Sequence, residues 1–421
     1  MVAALCRHLA RNGVRVAPFK AQNMSLNSAA TPEGLEIGRA QALQAEAAGI
    51  APSVDHNPVL IKPTSDTGAQ VIVNGRIWGR LDASDYGGTT KRLFWPFVVA
   101  AYERLAAAYD AIVIEGAGSP AEINLRAGDI VNMAVAHMSD ARCVLVGDID
   151  RGGVFASIFG TLGLLDDADR ARIDGWIVNK FRGDLELLRP GIAMLQERIG
   201  KPCYGVVPHL GDLGLDEEDG VSLDDPRRAS RRWRPAAERY LRIAVVRLPH
   251  IANFTDFDAL CEEPSVDLRY VAEPADLQDA HVVILPGSKD TIADLAWLRE
   301  CGLSEAISAA AGDRVVVGVC AGMQLLGRRI DDPLEVESGG SHAALGVLDL
   351  STTLAAEKVT VPVRGTFDAP AWWGASAQPL DFHGYEIHTG VTVYGPDLAA
   401  FGPPDDLRER PDGRGNRRAG R

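Results

Sequence analysis

Val315–Gly327, VVVGVCAGMQLLG, is the stretch that decides the fold of the second half of the chain. Three consecutive valines and Gly318-Val319 read as a buried strand, Cys320 follows, and Ala321-Gly322 open an apolar helix. The pattern is G-x-C-x-G, the thiol counterpart of a nucleophile elbow. A sharp strand-to-helix turn lifts the sulfur out of the sheet, and the flanking glycines remove Cβ clashes. The helix N-terminus then favours a thiolate and offers the Ala321 N–H to an oxyanion. A second strand, Val282–Thr291 (VVILPGSKDT), ends in a glycine turn, which positions Gly287 or Ser288 as the second oxyanion donor.

Outward from the elbow, short apolar runs alternate with helical segments and glycine turns, the pattern of parallel sheets with covering helices, an α/β fold. Leu241–Val246 opens the unit that contains Cys320. Before it, strands are expected at Val14–Ala17, Ala111–Glu115, Val144–Asp148, Trp176–Asn179 and Tyr204–Val207, with helices over Val2–Arg11 and Val98–Tyr109. Between the two sets lies Gly220–Pro235, polar and with five arginines from Arg227 to Arg234, which reads as a solvated linker. The expected organisation is a domain over 1–225, a linker over 226–240, a domain over 241–400 and a disordered tail over 401–421.

Composition excludes several classes. The 421 residues are 46% hydrophobic and 24% charged, and 43 Lys and Arg against 57 Asp and Glu give a net charge of −14. That balance disfavours nucleic acid, whose phosphates need clustered cations. No run approaches the ~20 apolar residues of a membrane span. Arg7, His8 and Arg11 interrupt any secretory signal. Six cysteines without CxxC spacing form neither a zinc site nor a disulfide framework and read as reduced thiols in a cytoplasm.

The thiol elbow and the opposing glycine loop resemble the class I glutamine amidotransferases, which attack the glutamine amide with Cys, pass through a thioester and release ammonia. With Phe382–Gly390 (FHGYEIHTG) and LPGSKDT, the resemblance narrows to the cobyric acid synthase family. Ala17–Ser28, Gly38–Gln44, Asn57–Val73, Glu115–Ser119, Val146–Ala156 and Ile177–Gly183 are similar to that family's segments in the same order. The resemblance implies a P-loop NTPase-like (dethiobiotin synthetase-like) parallel sheet domain followed by a class I glutamine amidotransferase-like domain. It implies ATP-dependent phosphorylation of carboxylates of adenosylcobyrinic acid a,c-diamide, a corrinoid, and displacement of phosphate by ammonia from glutamine.

Within this frame Glu115 and Asp148, each at a strand's carboxyl end, are the expected Mg²⁺ ligands. Lys20, at the same edge, is positioned to neutralise a transferring phosphoryl group. Asn179 resembles the adenine-reading position of dethiobiotin synthetase-like ATPases. Lys62, Lys91 and Arg39 are expected, on charge alone, to meet the acidic corrinoid. Two family features have no counterpart. The sequence contains no G-x-x-x-x-G-K-[ST], and no His follows His388, where the family carries its triad His. The chain thus reads as shortened at both ends relative to the family, lacking the first strand and phosphate loop, and this should leave apolar sheet edges uncovered. The alternatives are a non-catalytic remnant and the related cobyrinic acid a,c-diamide synthase.

Overall fold

The computed structural model describes residues 1–64, 68–82, 89–211, 215, 240–367 and 380–396. The linker expected over 226–240, except Tyr240, and the tail expected over 401–421 lie outside these residues, as does the Lys91 side chain.

The first half begins with α1 (Val2–Arg11), as expected, and β1 (Val16–Phe19), two residues later than expected. The delay has a local cause. Gly13 takes φ 80° and the Val14 N–H still bonds to Leu9 O, so the helix's last turn claims residues read as strand. Then come β2 (Gln22–Met24), β3 (Ser28–Ala30), β4 (Glu36–Gly38) and α2 (Arg39–Ala48). β5 (Val59–Pro63), β6 (Gly68–Val73) and β7 (Arg76–Asp82) follow, then α3 (Thr89–Ala108) and β8 (Ala111–Ile114). β9 (Cys143–Asp148), β10 (Ile173–Phe181) and β11 (Cys203–Pro208) close the half.

β1 pairs with β8, and β11-β10-β9 form a three-stranded sheet, all parallel as expected. Among the described residues β8 and β9 lie in separate sheets, and on β9 Val144 and Val146 are 41% and 49% exposed. The sheet β2-β5-β6-β7 was not expected. It joins one parallel pair to two antiparallel ones and buries Leu60, Ile61 and Ile72. Phe19, Ile61 and Phe94 meet in one core, each fully out of water and each worth roughly 1.5–3 kcal/mol of burial.

The second half is built on the parallel sheet β14-β12-β15-β17: β12 (Leu241–Val246), β14 (Val266–Val271), β15 (Val282–Leu285) and β17 (Val315–Gly318). Two-residue strands β13 (Ile251–Ala252) and β16 (Gly287–Ser288) pair antiparallel beside it. A further sheet, β19-β18-β20-β21, comprises β18 (Arg329–Asp332), β19 (Gly340–Ala343), β20 (Leu350–Phe367) and β21 (Leu380–Tyr394). The long β20–β21 hairpin breaks register between Leu354 and Val359 and leads Lys358 back to the first half. The halves touch through side chains: Ser28 N–H donates to Asn253 Oδ1 at 2.9 Å, and Arg39 pairs with Asp256 at 2.9 Å with its guanidinium 5.4 Å from the Tyr385 ring centroid.

Candidate active sites

The elbow takes its expected form. β17 ends at Gly318, the helix Ala321–Leu326 begins after Cys320, and Cys320 itself takes φ 52°, ψ −113°. A side chain held in that region is strained by about 1–3 kcal/mol and persists only because its surroundings fix it. Here the two glycines do so. A Cβ at Gly318 would lie 2.5 Å from Met323 N, and one at Gly322 would overlap the Leu285 carbonyl oxygen. Helix and sheet therefore approach more closely than any other residue allows. Gly287 comes alongside, where a Cβ would sit 3.8 Å from Cys320 Cβ. The Ser288 hydroxyl donates instead to Asp294 at 2.5 Å.

One expectation fails. The thiol opens to solvent at the mouth of a cavity, yet its walls desolvate the sulfur and push its pKa above the usual range. The Ala321 N–H and Lys358 pull it down without prevailing. Burial outweighs the helix N-terminus, so Cys320 rests as a thiol. The cavity has a volume of about 100 Å³ and opens to solvent. His388 lines it, with Nε2 held 2.5 Å from Glu386 Oε1, and the adjacent Ile387 carbonyl lies 3.7 Å from Cys320 Sγ.

The opposite wall belongs to the first half. Lys62, only 4% exposed, donates to Glu36 Oε1 at 2.7 Å, and Lys358, from the second half, reaches Glu36 Oε2 at 2.5 Å. Burial pushes the Glu36 carboxyl up, but Lys358 and Lys62 overcome it and hold the group well below the usual carboxylate range. Desolvation brings Lys62 down to about 8. Lys289 on the same cavity is likewise pushed well down, by burial and then by Lys358 and Lys62. Lys62 and Arg39, expected to meet the corrinoid, are thus engaged within the protein, Lys62 by Glu36 of its own half and Arg39 by Asp256 of the other. Sequence reasoning assigned nothing to Lys289, Lys358 or Glu36. Lys289 was visible in PGSKDT but read only as part of a turn.

The expected ligase residues stand at the ends of strands in two sheets, Lys20 and Glu115 on one and Asp148 and Asn179 on the other. Glu115 follows β8, where Lys20 Nζ reaches Oε1 at 3.4 Å and Gln44 Nε2 donates to Oε2 at 2.7 Å. Asp148 ends β9, pairs with Lys180 at 2.9 Å and lies opposite Asn179 in the ladder. Burial raises the Asp148 carboxyl, and the Lys180 hydrogen bond with its neighbours carries it below the usual range. The glycine turn after Glu115 does not leave all its N–H groups free, because Ala117 N–H donates to Asn132 Oδ1 at 3.0 Å. Two oxygen-rich carboxylates suit a hard cation such as Mg²⁺. Gln44 Oε1, buried and without a hydrogen-bond partner, adds an unfilled oxygen beside Glu115. No group of three or more metal-binding side chains occurs among the described residues.

Comparison with known proteins agrees with both halves. The CobQ/CobB/MinD/ParA nucleotide binding domain matches residues 1–223, and the CobB/CobQ-like glutamine amidotransferase domain matches residues 242–417. A cobyric acid synthase of Desulforudis audaxviator (strain MP104C) is 53% identical over 393 residues, covering 93% of this chain and 76% of that protein. Those of Salmonella heidelberg (strain SL476) and Klebsiella pneumoniae (strain 342) are 51% and 52% identical over 397 and 396 residues, with the same coverage. Among the described residues no helix is long and apolar enough to cross a membrane.

Proposed function

The chain belongs to the cobyric acid synthase family, and from that premise we propose that it uses ATP and glutamine to amidate the b, d, e and g carboxylates of adenosylcobyrinic acid a,c-diamide. The observation that carries this reading is the strained Cys320 elbow opening into a cavity that the nucleotide-binding half helps to wall. The relatives cited above carry the name of this synthase, which favours it over cobyrinic acid a,c-diamide synthase.

Cys320 is the nucleophile of the glutaminase. Its sulfur attacks the amide carbon of glutamine, and the oxygen that becomes negative is received by the N–H groups of Ala321 and Gly287. The carbon–nitrogen bond breaks, nitrogen leaves as ammonia with the thiol's proton, and water hydrolyses the thioester to glutamate. In the first half, spanning 1–225, Lys20 and Asn179 bind ATP, Lys20 at the phosphates and Asn179 at the base. Glu115 and Asp148 would hold Mg²⁺, which when bound neutralises phosphate charge. The division at 226–240 keeps the two chemistries on separate cores, the glutaminase extending from residue 241 to about residue 400. Six free cysteines suit a cytoplasmic setting.

The test is Cys320→Ala. Glutamine-dependent amidation should vanish while amidation driven by ammonium chloride survives. Loss of both in a folded protein would overturn the assignment.

A further inference from the structure

Both halves of the chain wall the cavity around Cys320: Ser28 and Lys62 from the first, Lys289, Glu337 and Lys358 from the second. Three ammonium groups therefore line one space with the thiol, and their donors are not used up. An ammonium has three N–H groups. Lys62 gives one to Glu36 and one to Ser28 Oγ, at 2.7 and 2.9 Å. Lys358 gives one to Glu36. The Lys289 ammonium makes no hydrogen bond among the described residues, although it lies on the cavity wall and is largely withdrawn from water. Glu36 thus answers two ammoniums by hydrogen bonds, while Lys289 feels the charge of Glu337 on the same wall and keeps its N–H groups open.

We infer that Lys62, Lys289 and Lys358 form the subsite for the α-carboxylate of glutamine, so that the first half of the chain completes the glutaminase pocket. The inference rests on Cys320 as the glutamine nucleophile and adds the substrate's anchor. A carboxylate offers about four acceptor positions and takes up donors the lysines leave unfilled. Glu337 remains on the same wall for the α-ammonium. Its pKa is raised by burial and then by Asp290, so it sits ready to ionise when a cation arrives. Glutamine then binds only where the two halves are docked, because Lys62 reaches the cavity from one half and Cys320 from the other.

The experiment alkylates Cys320 in the full chain with the chloroketone analogue of glutamine, as free acid and as α-methyl ester. In both, the sulfur forms a bond to the chloromethyl carbon and chloride leaves, so any change in thiol reactivity moves both rates equally. The acid-to-ester ratio of second-order rates, read by mass spectrometry of the Cys320 peptide, isolates recognition of the carboxylate. The wild type should prefer the acid at least tenfold. Lys289→Met and Lys62→Met should each lower the ratio at least fivefold, and Lys289→Arg should keep most of it. Lys289 has no ion pair to break, so its Met variant guards against misfolding of the Lys62 variant. An acid preference that survives both Met variants overturns the subsite alone. A wild type that labels no faster with the acid than with the ester overturns the subsite together with the glutamine reading of Cys320.

Discussion

Replacing Glu36 by Gln should lower stability by about 3–5 kcal/mol at pH 7, the cost of removing one partner from a buried ion pair and leaving the other charged. Glu36 is 1% exposed and stands between Lys62, 4% exposed, and Lys358, whose side chain is 12% exposed. Gln fills the same volume and removes only the charge, so loss of packing does not enter. For a unit the size of the first half the loss corresponds to a fall of roughly 6–20 °C in unfolding midpoint, measurable by calorimetry.

The pH dependence separates this cause from a generic defect. The pKa of Lys62 is about 8 in the fold against 10.5 in the unfolded chain, so between those values the unfolded chain binds more protons and this group adds stability as pH rises. Without Glu36, Lys62 sheds its proton at still lower pH, and the deficit of Glu36→Gln shrinks from pH 7 to pH 9. Glu36 itself is depressed, so its contribution is present above about 4.3, its unfolded value, and is lost as pH falls further. The deficit therefore narrows on the acid side too. Replacing all three residues, Glu36→Leu with Lys62→Met and Lys358→Met, should recover most of the loss, since an apolar cluster has no charge to strand. A midpoint within about 2 °C of wild type at pH 7, or a deficit that widens towards pH 9, would refute the reasoning.

Three other outcomes are expected. In Gly322→Ala the new methyl overlaps the Leu285 carbonyl, the elbow must retreat by about 1 Å, and glutamine-dependent amidation should fall on the order of 10²-fold; an unchanged rate would show that the close approach is dispensable. Alkylation of Cys320 by iodoacetamide should still be rising past pH 9, because the thiol lies above its usual value of 9.0; a plateau near pH 7 would mean a thiolate already activated at rest. Glu115→Gln should abolish amidation from glutamine and ammonia alike while chloroketone labelling of Cys320 continues, and normal ammonia-driven turnover in that variant would contradict its place at the nucleotide.

What the sequence disclosed and what it concealed divide along a physical line. β12 and β15 lie where their apolar runs put them, and the elbow could be read because the requirements for Gly318, Cys320 and Gly322 are local. β20 could not be read, because Ala355-Ala356-Glu357-Lys358 favours helix by itself; these four residues fall in the register break, and it is the stretches on either side of them that pair with β21. The antiparallel β5-β6-β7 sheet was missed because a continuous apolar run such as Val59–Ile61 carries no sign of its partner's direction. Glu36 meets Lys62 across 26 positions and Lys358 across 322, and no periodicity encodes a pairing at that separation. Lys62 could be noticed as a charge, but its role was set by burial, which the charge alone does not reveal.

That burial also bears on how the two reactions are joined. Glu36 opens β4, β4 leads directly into α2, and Gln44 of α2 donates to Glu115. One segment therefore carries the ion cluster of the glutaminase cavity at its start and a contact to the ligase carboxylate five residues into its helix, about 8 Å along the axis from Arg39. A displacement of Glu36 has to be absorbed there, because both ends are packed. Gln41 and Gln44 are buried, and Arg39 is tied to Asp256 of the other half. If a substrate carboxylate takes donors from Lys62 and Lys358, the charge balance at Glu36 changes, and β4 and α2 connect that residue to Gln44, which holds Glu115. Ammonia released before a carboxylate has been activated is wasted. The β4–α2 segment is thus one continuous stretch of backbone from the lysine cluster at Glu36 to the Gln44 contact with Glu115.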